Sequence, residues 1–265
     1  MEKYNKIRKT MYSVQLTRWA HLINIKSPYT LIKAIYYMET ASLFLFITQK
    51  IIKSPNFITF LYALTGVMGS FLLLSSQETV FYIGIFMVFT KGTFDWADGP
   101  LARRLDKTSF IGHALDAYGA FVSDSAFRVA FVYYTLRYYP ELMPWFPIIA
   151  FVLLITRFNL FSGFMYYQKN TPHSLAKLNK IKKSESDKSL KRSYKKSEWY
   201  YRYIAILDSR ARSVDSLLLI LLIDTIFDYD LTILLLTLAT LIIIRSIVTH
   251  VAGIYFAMNT YKDNL

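Results

Sequence analysis

The stretch FDWADGPLARRLDKTSFIGHALDAYGAFVSD, Phe94 to Asp124, places Asp95, Asp98, Asp116 and Asp124 beside long apolar segments. An ionised carboxylate in such company is costly unless something compensates for it. Asp95 and Asp98 are three residues apart, so on a helix they share a face, and Ala102 joins them there. Gly99 and Ala102 are small, which lets another helix or a ligand approach closely. Arg103 follows at the water-facing end. Asp116 comes one turn into the next segment, just beyond Gly112. An antiparallel helix pair with a short linker would set Asp116 opposite Asp95 and Asp98. Three converging carboxylates repel one another unless cations neutralise them. Hard divalent ions such as Mg²⁺ or Mn²⁺ suit oxygen ligands of this kind. Taken alone, these residues leave two other readings open: interface-level charges paired with Arg103, Arg104 and Lys107, and an ion or proton pathway.

Outward from this stretch the chain is a series of apolar runs. It is 54% hydrophobic and only 18% charged, against about one quarter charged in an ordinary soluble domain. Runs at 58–74, 80–94, 146–167, 216–227 and 231–256 are nearly free of charge. Segments of about 17–25 such residues, flanks included, cross a bilayer as helices. The expected fold is all-α: a polytopic membrane protein with six transmembrane helices plus an N-terminal interfacial helix. The spans are expected at about 57–75, 79–103, 111–136, 144–167, 212–228 and 231–257. Pro55 suits the first turn of the first span, where its missing N–H costs nothing.

Residues 28–50 are long enough to span, but Lys33 and Glu39 are expensive in hydrocarbon. This segment is therefore read as a helix in the interface or packed obliquely. Residues 1–53 form the cytoplasmic or interfacial N-terminal region, 54–257 the membrane domain and 258–265 a C-terminal tail. No cleavable leader is expected, because residues 1–27 lack a compact apolar core and a small-residue cleavage site.

The formal charge of +13 raises nucleic acid as a partner, but its distribution argues against it. Thirteen Lys and Arg lie in 169–212, and Arg103, Arg104 and Lys107 follow the second span. The connections at 75–78 and 228–230 hold none, and 137–143 holds only Arg137. The positive-inside rule then places both termini, the 169–212 loop and the aspartates on the cytoplasmic side. There is no cysteine, hence no disulfide or thiolate metal site.

The stretch resembles the signature of the CDP-alcohol phosphotransferase family, D-x2-D-G-x2-A-R-x8-G-x3-D-x3-D. Asp95, Asp98, Gly99, Ala102, Arg103, Gly112 and Asp116 all fall at its spacing. The stretch SPNFIT, Ser54 to Thr59, also resembles the family's Pro-Asn approach to its first helix. The resemblance implies transfer of a phosphate-linked group from a CDP-linked donor, such as CDP-diacylglycerol, to an alcohol, with release of CMP. It implies that Asp95, Asp98 and Asp116 hold two divalent ions, Mg²⁺ or Mn²⁺. Gly99, Ala102 and Gly112 would leave room for the nucleotide, Arg103 would grip its phosphates, and Asn56 would make a first-helix contact. It also suggests a homodimer.

The signature's last aspartate should occupy position 120, where this chain has Ala120. In the family that residue is assigned as a metal ligand and as the base for the attacking alcohol. Asp124 lies one turn further on. Four readings stand together: Asp124 serves as base in a displaced site, His113 or another residue does so, Ala120 is introduced, or the chain binds without turnover.

The acceptor is not fixed by sequence. Arg157 and Arg245 lie within apolar runs and would pair with Asp215 or Asp224, or bind the phosphate of a phosphorylated alcohol. Arg210, Arg212 and Asp215 open the fifth span on the active side, and His250 is read as a packing histidine.

Overall fold

A computed structural model describes residues 2–19, 28–48, 50–157, 210–227 and 230–262. The helices are α1 (Glu2–Trp19), α2 (Pro28–Thr48), α3 (Pro55–Leu72), α4 (Glu78–Thr90), α5 (Gly92–Arg104) and α6 (Phe110–Leu136). A 3₁₀ turn (Pro140–Trp145) leads into α7 (Phe146–Arg157), and α8 (Arg210–Phe227) and α9 (Thr232–Lys262) follow. The described residues contain no β-strand, and the all-α expectation holds. Two described stretches, Leu31–Thr48 in α2 and Pro55–Leu72 in α3, are long and apolar enough to cross a bilayer. Most of the 169–212 loop, the end of the tail and the side chains of His113, Arg157, Arg210 and Arg212 lie outside the described residues.

The chain divides into two compact units, Met1–Phe127 and Arg128–Leu265. In the first, α2 is packed between α1 and α5. Met11, Ala34, Met38, Ala41, Leu45, Ile58, Ala97 and Leu101 form its buried core. Glu39, expensive in isolation, receives the hydroxyls of Tyr4 and Tyr12 and the guanidinium of Arg8. The charge that argued against burying α2 is thus compensated by α1. Outer faces stay apolar: Phe60, Phe71 and Phe86 are 57%, 72% and 65% exposed. Large apolar side chains left this exposed are consistent with association with a membrane.

One expectation is corrected. The second span, read as a single helix over 79–103, is broken at Lys91–Gly92 into α4 and α5. The hydrogen bond from the Phe94 N–H reaches only three residues back, to the Lys91 carbonyl at 3.0 Å. The last four carbonyls of a helix need outside partners. Tyr37 of α2 supplies one, its hydroxyl donating to the Phe89 carbonyl at 2.8 Å. Gly92 makes this approach possible, since a Cβ there would fall on the Tyr37 ring. Thr40 and Thr93 join their hydroxyls at 2.9 Å just beyond.

The turn from α5 to α6 is closed by a reciprocal pair of helix-end bonds. The Lys107 N–H donates to the Ala102 carbonyl at 2.8 Å, and the Asp106 N–H to that of Arg103 at 3.4 Å. This pattern needs a left-handed residue, usually glycine, and Asp106 takes it with φ 51°. Asp106→Val places a β-branched residue there and is expected to lower stability by about 1–2 kcal/mol. Thermal unfolding in detergent would measure it.

In the second unit, α7 packs against α9. Buried Asp224 on α8 accepts the hydroxyls of Tyr134 and Tyr138 at 2.7 and 2.8 Å. Asp224 therefore has tyrosine partners in addition to whatever Arg157, whose side chain lies outside the described residues, contributes.

Candidate active site

The site grows from two helix starts and one turn. Pro55 opens α3 with Ser54 in extended conformation before it, and this directs Thr59 inward one turn later. At the start of α6, the Ser109 hydroxyl accepts the Gly112 N–H at 3.0 Å. That is the bond of an N-cap serine to the third helical residue. Lys107 reaches back to the Lys53 carbonyl at 3.2 Å, which ties the α5–α6 turn to the approach of α3.

Within this frame α5 and α6 bring the aspartates together. The Asp95 and Asp116 carboxyls are within hydrogen-bonding reach of each other, and Asp98 is close enough to interact electrostatically with both. Asp98 is 8% exposed and is held by the Thr59 hydroxyl at 2.7 Å. Arg103 folds back over Gly99, since a Cβ on that glycine would lie 3.3 Å from its guanidinium. Asn56 is exposed and faces Gly112, where a Cβ would stand 3.2 Å from its side-chain oxygen. Ala102 is half-buried.

Asp124 stands apart. Helix α6 runs unbroken from Phe110 to Leu136, so no bulge shortens the path. Eight residues at 1.5 Å each put Asp124 about 12 Å along the axis from Asp116. It is buried, at 3% exposure, and Arg128, one turn further on, is buried too.

Three oxygen-donor carboxylates that face one another have the right chemistry for a hard divalent ion. They lean on one another pairwise and are not gathered about a point. Among the described residues no group of three or more His, Cys, Asp or Glu side chains is already disposed to hold a metal.

Thr59 was not singled out by sequence reasoning, although it lies one turn beyond Pro55 in the stretch that was. Thr59→Val keeps the shape and removes the donor to a buried carboxylate. A lost hydrogen bond to a charged group is worth about 2 kcal/mol, and that loss is expected in thermal unfolding.

Fold and site together define an all-α protein with apolar outer faces and an acidic group held between two of its helices. Residues 52–184, half of the chain, match the CDP-alcohol phosphatidyltransferase family, and the chain belongs to that family. No match is found among curated proteins or among solved structures.

Proposed function

We propose that the protein is a membrane-embedded, divalent-metal-dependent phosphotransferase. It moves a phosphate-linked group from a CDP-linked donor, with CDP-diacylglycerol the first choice, to an alcohol acceptor and releases CMP. The observation that carries this reading is the meeting of Asp95, Asp98 and Asp116 at the family's spacing, with Arg103 beside Gly99. Six spans and a cytoplasmic site belong to the same reading, supported by the charge asymmetry of the connections.

Asp95, Asp98 and Asp116 would hold Mg²⁺ or Mn²⁺, which when bound polarises the donor pyrophosphate and stabilises charge on the departing CMP. Arg103 binds the donor phosphates, and Gly99 and Gly112 leave the nucleotide room. Thr59 fixes the Asp98 carboxylate so that it does not swing away. The acceptor oxygen attacks the phosphorus that carries the lipid, the bond from that phosphorus to the CMP oxygen breaks, and the acceptor's proton leaves to a base. Position 120 offers no carboxylate. Asp124, one turn or about 6 Å beyond it, takes the proton through one water.

A second reading follows from Ala120 itself: a family member that binds the CDP-linked donor without turning it over. One experiment separates the two. Purified protein is mixed with radiolabelled CDP-diacylglycerol, Mg²⁺ or Mn²⁺ and a panel of alcohols and phosphorylated alcohols. Metal-dependent CMP release supports the transferase. Tight donor binding with no CMP from any acceptor overturns it in favour of the binding protein.

A further inference from the structure

Lys91 is a cation in an apolar stretch at the break between α4 and α5, and no part of the signature accounts for it. Its surroundings are built around its ammonium. Nζ donates a short hydrogen bond to the Ser123 hydroxyl on α6. It lies 5.8 Å from the centre of the Tyr62 ring on α3, a distance at which ring and cation attract. Gly66, one turn beyond Tyr62, has no side chain because a Cβ would run into Ser123 and come within 3.1 Å of the Lys91 stem. Asp95, four residues along, is within its electrostatic reach.

The helical geometry turns these contacts into a ladder. Asp116 and Ser123 are seven residues apart, two turns on one side of α6. Asp95 meets Asp116, and Lys91 meets Ser123, so two rungs join α5 and its approach to α6. The lower rung joins two carboxylates that repel each other. The upper rung carries a positive charge at the end of α5 opposite Arg103, which acts on Asp98 from the other end.

We propose that Lys91 is a resident counter-cation of the aspartate group: it holds the α5 and α6 carboxylates together before a divalent ion arrives, and it opposes that ion electrostatically. The proposal rests on the metal reading above. Its role is positioning, since it acts through Asp95. The consequence runs against the usual sense of a site mutation, because removing Lys91 strengthens ion binding.

The test uses the purified full chain in lipid nanodiscs, with Mn²⁺ alone as probe and the free ion measured by electron paramagnetic resonance. Lys91→Met and Lys91→Gln are expected to bind Mn²⁺ about tenfold more tightly than the unaltered chain, the scale set by loss of a like charge at close range. The glutamine variant keeps a donor for Ser123 and serves where the methionine variant does not fold. Lys91→Arg keeps the charge and is expected to stay within about threefold of the unaltered chain, a rescue that a purely structural lysine would not show. Equal or weaker binding by the two neutral variants overturns the proposal and leaves the metal reading intact. No Mn²⁺ binding by any of the four proteins overturns the metal reading and the proposal with it.

Discussion

Asp98→Asn is expected to lower metal-dependent CMP release about a thousandfold, equivalent to roughly 4 kcal/mol of transition-state stabilisation. The substitution is chosen to isolate charge from shape. Asparagine keeps an oxygen that still accepts the Thr59 hydroxyl, now 2.7 Å from Asp98. The fold around α3 and α5 should therefore persist, and thermal unfolding should shift little. What disappears is the negative charge of one of the three carboxylates proposed to hold the ion. Asp116→Asn is expected to act alike, because Asp116 faces both other carboxylates from α6. Retention of full CMP release by both variants would sink the metal-dependent transferase. The same variants should weaken Mn²⁺ binding, so that loss of rate and loss of ion are measured on one preparation.

Ala120→Asp is expected to raise turnover about a hundredfold, at the lower end of what a well-placed general base contributes. Position 120 lies on α6 between the Asp95–Asp116 and Lys91–Ser123 contacts, on a helix that runs unbroken past it. On the proposed mechanism a carboxylate there would reach the acceptor's proton directly, where Asp124 would need a water. The KM for the donor should change little, because the residues assigned to nucleotide binding are untouched. The matching experiment is Asp124→Asn in both backgrounds. It should abolish most of the activity of the unaltered chain and cost the Ala120→Asp protein little. An Ala120→Asp protein no faster than its parent would mean that proton removal does not limit the reaction.

Much of the site was legible because its information is local. The i, i+3 pair Asp95 and Asp98, the small residues at 99, 102 and 112, and Asp116 one turn into α6 all express helical periodicity directly. Pro55 marked the start of α3, and α6 lies within a residue of its expected bounds. What escaped is what depends on partners distant in sequence. The break at Lys91–Gly92 left only a short polar interruption, Thr90-Lys91-Gly92-Thr93, between apolar residues, too slight to end a span by hydropathy. It is held by Tyr37, more than fifty residues upstream. Thr59 looked like an ordinary helix threonine until α5 supplied Asp98. Glu39 looked like a reason to keep α2 out of an apolar setting until α1 supplied Arg8, Tyr4 and Tyr12.

The place of α2 also bears on how kinship and folding divide this chain. The family match begins at residue 52. Yet α2, wholly upstream of it, covers Ala97 and Leu101 on the back of the signature helix and closes the Phe89 carbonyl. A piece cut to the matched residues would thus lose part of its own packed interior. The three aspartates lie within the matched residues, and α2, outside them, covers the back of the helix that carries two of them. A chain shortened to begin at residue 52 would uncover Ala97 and Leu101 and is expected to hold that helix less firmly.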